Sequence, residues 1–150
     1  MTYLPNGLPE PVTEADKLDL PYWQGTRAGK LMVQRCGKCQ TWQWGPEWLC
    51  HQCHSFDMKW TEVAGPTPGK YGGRIYSWTR CWHPVHPALK GHGAYIAVVV
   101  ELPEAGNIRM LGNLLGDPEQ KVVIGASVKA VFEPHDDART PYTLVQWKTG

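Results

Sequence analysis

Residues 36–53 read CGKCQTWQWGPEWLCHQC and contain four of the five cysteines of the 150-residue chain. They form two C-x-x-C pairs, Cys36 with Cys39 and Cys50 with Cys53. Each pair can place two thiolates on one side of a tight turn, and two facing turns make a tetrahedral site of four sulfurs that suits Zn²⁺. Because the protein fills all four positions, water has no place on the metal and the site is structural. The spacing therefore predicts a zinc ribbon with one structural zinc ion.

Other interpretations of these cysteines stay open. Two redox pairs of the thioredoxin type are disfavoured, because no βαβ pattern surrounds either pair. An iron site of the rubredoxin or 2Fe–2S type is chemically allowed, so the sequence does not separate zinc from iron. His51 lies within the second pair, His54 directly follows it, and either could replace a cysteine ligand. The odd fifth cysteine, Cys81, argues against a disulfide framework.

The composition excludes several classes of protein. The chain has 15 basic and 14 acidic residues and a formal net charge of +1. It therefore lacks the positive charge that drives strong nonspecific binding to nucleic acid. No apolar run reaches the roughly 18 residues of a membrane span, and the first ten residues show no secretory signal pattern. We expect a cytoplasmic protein that contacts no membrane.

Turn residues divide the chain into three predicted regions. Residues 1–30 hold an extended arm and two helices, one starting near Thr13 and a short one after Pro21. Residues 31–65 form the zinc ribbon, and a stretch rich in Gly and Pro begins at residue 64. Residues 66–150 hold five candidate strands, at 74–82, 95–102, 108–115, 127–133 and 142–148.

The strand pattern predicts the fold class. Five short strands, with a helical turn before the fourth, are typical of a small closed barrel of the OB type. Another five- or six-stranded barrel or a sandwich fits the same strand count. We predict a mainly β protein with N-terminal helices, a zinc ribbon and a C-terminal five-stranded OB-fold barrel.

Aromatic and basic side chains alternate along the first barrel strand. Tyr76, Trp78, Arg80 and Trp82 share one face of a regular strand. Such a stripe can stack on a flat ring, as OB folds do with bases. The alternative is that Tyr76 and Trp78 fill the barrel.

The loop that follows this strand carries three histidines, among them His86. We predict that this loop faces solvent or substrate. Cys81 and His83 could mimic a nucleophile and its base. A lone strand cysteine is more often buried and inert.

Eight short motifs follow one another along the chain: PYWQGTRAGKL (21–31), QRCGKC (34–39), CHQC (50–53), WTEVAG (60–65), IYSWT (75–79), VVVEL (98–102), LGNLLG (111–116) and VIGASVKAVFE (123–133). Their order resembles the DUF35 family, from about residue 14 to residue 148. The resemblance implies a rubredoxin-like zinc ribbon followed by an acyl-CoA-associated OB-fold.

The resemblance also implies a function without catalytic residues in this chain. DUF35 proteins are similar to partners of thiolase-superfamily enzymes, so we expect a thiolase-like subunit in a heterotetramer or larger assembly, with acyl-CoA as a ligand. The implied partner is an SCP2-thiolase-like aldolase of steroid side-chain or other lipid degradation, which makes the complex a carbon–carbon lyase. The alternatives are a subunit of a thiolase-like C-acyltransferase and a module that binds single-stranded nucleic acid.

Five residues are candidates for contact with acyl-CoA. Arg35 and Arg80 can pair with phosphate groups. Trp78 and Trp82 can stack on the adenine ring. His86 lies on the neighbouring loop. The chain alone is expected to show no turnover.

Overall fold

The computed structural model describes residues 3–13, 16–65 and 70–150. The predicted helix near Thr13 and the linker that begins at residue 64 fall partly on residues 14–15 and 66–69, which lie outside the described residues. No helix in the described ranges is long and apolar enough to cross a membrane.

The described residues contain one α-helix, α1 (Leu20–Arg27), where the sequence predicted two. The backbone of Lys17 is left-handed, with φ of 59°, and a residue in that conformation interrupts a right-handed helix. Pro21 lies in the first turn, where its missing N–H costs nothing. The helix ends where Gly29 adopts φ of 70° and the Lys30 amide donates to the Gly25 carbonyl at 2.8 Å. That pair of features is a Schellman ending.

The zinc ribbon is a three-stranded antiparallel sheet in the order β2-β1-β3. Its strands are β1 (Met32–Cys36), β2 (Trp42–Gln43) and β3 (Met58–Glu62). The sequence KLMVQR (30–35) and the alternating MKWTEV (58–63) are strand candidates that correspond to β1 and β3, whereas the two-residue β2 was not predicted. Leu31, Val33 and Val63 from this region are buried in the same hydrophobic cluster as the barrel core. The ribbon is therefore packed against the barrel.

The second sheet has five antiparallel strands in the order β6-β5-β4-β7-β8. They are β4 (Gly72–Cys81), β5 (Tyr95–Leu102), β6 (Ile108–Asn113), β7 (Ser127–His135) and β8 (Tyr142–Thr149). A parallel bridge between Leu114 and Trp147 brings the end of β6 to β8, and the Leu115 amide donates to the Trp147 carbonyl at 2.7 Å. This order and closure confirm the predicted five-stranded OB-type barrel.

A β-bulge changes the predicted stripe on the first barrel strand. The register between β4 and β5 shifts between Ile75 and Ser77, and a bulge of this kind redirects a side chain. Tyr76 stacks against Arg109, whose guanidinium carbon lies 3.5 Å from the ring centroid. Trp78 instead packs against the core. The prediction that Tyr76 and Trp78 share one face is wrong, because strand alternation breaks at the bulge.

A hydrogen-bonded joint connects the ribbon to the barrel. The Tyr71 hydroxyl, just before β4, donates to Glu62 Oε1 at the end of β3 over 2.6 Å. Lys30 Nζ lies 3.3 Å from the other oxygen of Glu62. The Tyr71 hydrogen bond, and then Lys30, hold the pKa of Glu62 below its ordinary value, although burial acts in the opposite direction.

The substitution Tyr71→Phe is expected to destabilise the protein by about 1–2 kcal/mol near neutral pH. Because the pKa of Glu62 is lower in the folded chain, its contribution is full above the unfolded value and is lost as pH falls through the folded value. The difference between Tyr71→Phe and the parent should therefore shrink in acid. Urea unfolding at a series of pH values measures it, with the exposed Tyr76→Phe as control. A difference that stays constant from neutral pH into acid would contradict this assignment.

Candidate functional site

The four cysteines of the ribbon converge on one point. All four Sγ atoms lie within 4.8 Å of one another. Cys36 Sγ lies 3.6 Å from Cys53 Sγ, and Cys39 Sγ lies 3.6 Å from Cys50 Sγ. A tetrahedron of sulfurs about 2.3 Å from a central zinc has edges of about 3.8 Å. The donor set therefore fits a closed four-sulfur metal site.

The two cysteine turns have the same backbone geometry. Cys36 and Cys50 each donate their amide to the carbonyl five residues later, at 2.9 and 3.0 Å. Each also accepts from the amide four residues later, at 3.0 Å in both turns. Gln40 and His54, which close the turns, share a left-handed backbone with φ of 64° and 56°. The two cysteine turns thus have the same backbone conformation, and each contributes two sulfurs to the site.

Gly37 allows Asp57 to lie close to the first turn. A Cβ at this position would overlap the carboxylate of Asp57. The Gly37 amide donates to the Asp57 carbonyl at 2.7 Å. This close approach fixes the first turn against the strand that follows the second turn.

The acidities of the cysteine thiols depend on one another and on the groups beside them. Hydrogen bonds with the hydroxyl and backbone of Thr41 lower the pKa of the Cys39 thiol to about 6. The Ser55 backbone lowers the pKa of Cys53, but burial and hydrogen bonds with the other three thiols outweigh it and raise the value to about 12. Four adjacent thiols cannot all ionise unless a positive charge lies among them, and a bound metal ion supplies that charge.

Two buried glutamines position the loop between the cysteine turns. Gln34 Oε1 accepts from the Glu47 amide at 3.0 Å. Gln43 Nε2 donates to the Leu49 carbonyl at 3.2 Å, and its Oε1 accepts from the His51 amide at 2.8 Å. The sequence analysis missed both glutamines. The sequence carries no signal for them, because the pairing of Gln34 with Gln43 depends on the two-residue strand β2, which was not predicted.

The two histidines beside the second turn are not part of the cysteine cluster. The His51 ring lies 2.8 Å from Gln43 Oε1 through Nδ1. Among the described residues, the group that could hold a metal consists of the four cysteines alone. The hypothesis that His51 or His54 replaces a cysteine is not supported.

Three of the five predicted substrate-binding residues lie together at the end of β4. The guanidinium of Arg80 lies between two indoles, 5.3 Å from the Trp78 centroid and 5.4 Å from that of Trp82. Its Nε and Nη2 donate to the carbonyls of Pro118 and Gln120, both at 2.6 Å. Arg80 thus ties the loop before β7 to the first barrel strand. Trp82 remains 53% exposed.

The other two predicted residues lie outside this stack. Arg35 is on the ribbon, where its guanidinium stacks on Trp42 at 5.1 Å and its Nε donates to the Gln40 carbonyl at 3.2 Å. His86 Nδ1 accepts from the Ala88 amide at 3.2 Å and caps a short 3₁₀ turn.

A basic groove at the β4–β7–β8 surface was missed by the sequence analysis. It has a volume of about 780 Å³, and four exposed cations line it: Lys70, Arg74, Lys129 and Lys148. None of the ion pairs found among the described residues involves these four. Lys129 and Lys148 are directly opposite each other in the strand register. Like charges in that position are unfavourable for the pairing of β7 with β8.

Two family models match this chain. Residues 23–59 match the rubredoxin-like zinc ribbon domain of ChsH2, and residues 67–133 match the C-terminal OB-fold domain of ChsH2. Together they cover more than half of the chain. The chain belongs to the ChsH2 family. A solved complex described as the Ltp2-ChsH2(DUF35) aldolase connects that family with DUF35, so the predicted DUF35 resemblance is confirmed.

Solved structures of the ChsH2 and DUF35 type share this fold. The Ltp2-ChsH2(DUF35) aldolase structure matches with 27% identity and a TM-score of 0.73 over 93% of this chain and 98% of that one. A DUF35 protein of unknown function from Sulfolobus solfataricus matches with 15% identity and a TM-score of 0.58, over 92% of this chain and 87% of the other. The second likeness shows the fold alone.

A curated relative also matches most of the chain. It is described as a probable enoyl-CoA hydratase alpha subunit from Thermomonospora curvata, and it is 34% identical over 111 residues. The match covers 73% of this chain and 32% of the relative. The chain thus spans about a third of the length of that relative.

Proposed function

We propose that this ChsH2-family chain is an accessory subunit of an acyl-CoA-processing complex whose partner is a thiolase-like aldolase. The observation that carries the proposal is its likeness to the Ltp2-ChsH2 aldolase chain, which covers nearly the whole of both chains. In this proposal the partner performs the carbon–carbon cleavage, in a heterotetramer or larger assembly. This chain docks on the partner and helps to hold the acyl-CoA of a steroid side chain or another lipid.

The proposed docking surface is the outer end of the zinc ribbon. Trp48 is 59% exposed and Phe56 is 79% exposed. Large aromatic side chains are typical centres of protein interfaces. The buried glutamines hold the loop that carries Trp48, so docking needs little further ordering. A metal in the four-sulfur site, which we propose is zinc, would fix the turns on either side of this loop.

The proposed anchor for the phosphate groups of acyl-CoA is the basic groove. Lysine and arginine bind phosphate through charge-assisted hydrogen bonds. Arg80 has two of its donors committed to loop carbonyls, so in this proposal it positions the loop. Trp82 lies at the far end of β4 from the groove, roughly 25 Å along the strand from Arg74, which is too far for its ring to stack on the adenine of a CoA whose phosphates lie in the groove. Lys129 and Lys148 supply the charge.

A second candidate partner is an enoyl-CoA hydratase. The observation that favours it is the 34% identity to the relative described as a hydratase alpha subunit. Both candidates place the chain beside an enzyme that acts on acyl-CoA, and they differ in the protein to which it binds.

Co-expression with each candidate partner tests the proposal. We expect a stable complex with the thiolase-like protein, and acyl-CoA should bind to this complex more tightly than to either protein alone. The double substitution Lys129→Glu with Lys148→Glu should weaken acyl-CoA binding by about tenfold or more, measured by calorimetry on the purified complex.

The matched control is Lys90→Glu with Lys121→Glu, which changes the same charge at exposed lysines outside the groove. Equal losses of acyl-CoA affinity in both double variants would show that the groove does not bind the ligand. A stable complex with the hydratase and none with the thiolase-like protein would show that the hydratase is the partner. Activity of the isolated chain on acyl-CoA would overturn the accessory role.

A further inference from the structure

A second cavity lies at the opposite end of the β7–β8 pair, near the turn between the two strands, and no ribbon residue lines it. Its volume is about 680 Å³, within the range of small-molecule sites. The N-terminal arm, residues 4–11, forms one wall, and side chains near the β7–β8 turn form the other. The arm is held there by Glu10, whose Oε1 accepts from the Arg139 amide at 3.4 Å.

A carboxylate–imidazole pair lies in this second wall. Glu133 Oε1 is 2.9 Å from His135 Nε2, and both side chains are almost fully buried. Gln146 Nε2 donates to the other carboxylate oxygen at 3.3 Å. Because a carboxylate only accepts hydrogen bonds, Nε2 of His135 carries the proton. In the neutral ring Nδ1 is then an acceptor, and no hydrogen bond found among the described residues engages it.

The rest of the cavity combines an aromatic face, negative charge and apolar surface. The Tyr142 ring stacks on His135 with centroids 4.5 Å apart and an interplanar angle of 12°. Glu10, Glu133 and Asp137 line the same cavity, and burial, followed by the charges of these three carboxylates, raises the pKa of Tyr142. Leu4, Leu8 and Leu144 add apolar surface.

We propose that this cavity binds an organic cation, namely an ammonium group on an apolar chain. The ammonium would donate to His135 Nδ1, the surrounding carboxylates would balance its charge, and the apolar chain would lie against the leucines. The pair resembles a preorganised acceptor, since Glu133 fixes the tautomer and Gln146 fixes Glu133. Such a cation can be a free alkylamine or a lysine side chain of another protein. This site does not depend on the proposed acyl-CoA function, and each of the two proposals can fail without the other.

Titration of the metal-loaded full chain, followed by the His135 Hε1 NMR signal, tests the proposal. The probes are hexylammonium, hexan-1-ol as the neutral isostere and N-acetyl-lysine-methylamide for the protein-borne cation. The pH should lie above the ordinary titration range of histidine and below that of the amine. We expect saturable shifts with at least one ammonium probe, and binding of the alcohol about tenfold weaker or more.

Variants separate this site from nonspecific binding. Glu133→Gln should weaken ammonium binding by about tenfold. If Glu133→Gln fails to fold, Asp137→Asn, an exposed change at the rim, takes its place. Asp137→Asn should weaken ammonium binding about twofold to threefold. His92→Gln, a change at an exposed loop histidine, should leave it unchanged. Saturation by hexylammonium alone assigns a free amine, and saturation by the lysine probe alone assigns a protein side chain. Absence of binding by both, or equal binding of the alcohol, would overturn the proposal.

Discussion

The substitution Cys50→Ser is expected to abolish metal binding and to unfold the ribbon. Cys50 is buried, and its sulfur lies 3.6 Å from that of Cys39. Structural zinc contributes about 10–16 kcal/mol to the folding of zinc-finger peptides. Whole domains are stable by only about 5–15 kcal/mol. Removal of one of four ligands therefore threatens the fold and does more than weaken a site.

The loss should reach the barrel as well. Val33 lies in β1, Leu31 precedes β1 and Val63 follows β3. All three belong to the same hydrophobic cluster as the barrel residues. Unfolding of the ribbon would expose these side chains and remove packing from the barrel. We therefore expect one cooperative transition in the parent chain, and a large decrease in its midpoint temperature in Cys50→Ser.

Metal analysis together with thermal unfolding measures both effects. The parent should contain about one metal ion per chain, and the same analysis identifies zinc or iron. Cys81→Ser is the matched control, because Cys81 lies outside the four-sulfur cluster. It should retain the metal and the parent's transition. Full metal content in Cys50→Ser, or equal losses in both variants, would show that the cluster is not the site.

The sequence was most informative where the structure is local. A C-x-x-C pair determines the separation of its own sulfurs, because two intervening residues allow only a tight turn, and the four cysteines were found together as predicted. The strand β5 matches its predicted bounds, since its buried and half-buried residues alternate without interruption. In both cases the signal lies within a few consecutive residues.

The features that sequence reasoning missed depend on contacts between distant segments. Strand β2 has two residues and no periodicity of its own; it exists because it pairs with β1. The basic groove joins Arg74 to Lys129 and Lys148, which are far apart in the chain. The bulge at Tyr76 cannot be recognised from the sequence, because the residue types around it alternate as in a regular strand. Tertiary pairing decides each of these features.

The substitution Trp147→Ala is expected to destabilise the barrel by about 3–5 kcal/mol. Trp147 is fully buried, and its backbone closes the barrel through the bridge to Leu114. The indole fills the space that a side chain at Gly112 would need, since a Cβ there would lie 2.7 Å from the ring. Alanine at position 147 would leave a cavity, and Gly112 in β6 has no side chain to fill it.

One group of the Trp147 ring lowers the stability of the fold. Trp147 Nε1 is the one buried side-chain nitrogen or oxygen in the described part of the chain that has no hydrogen-bond partner. Phenylalanine removes this unpaired donor while keeping most of the apolar volume. Trp147→Phe should therefore be clearly less destabilising than Trp147→Ala, because relief of the unpaired N–H offsets part of the lost packing.

Urea unfolding of the metal-loaded chain, followed by circular dichroism, measures these differences. Trp82→Ala is the matched control, because the same residue type is removed from a half-exposed position outside the core, and we expect it to cost less than about 1 kcal/mol. If the free energies of unfolding of Trp147→Ala and Trp82→Ala were equal, the Trp147 indole would not be a main part of the barrel core. If Trp147→Phe were as destabilising as Trp147→Ala, removal of the N–H would bring no benefit, and the Trp147 N–H would have a hydrogen-bond partner in solution.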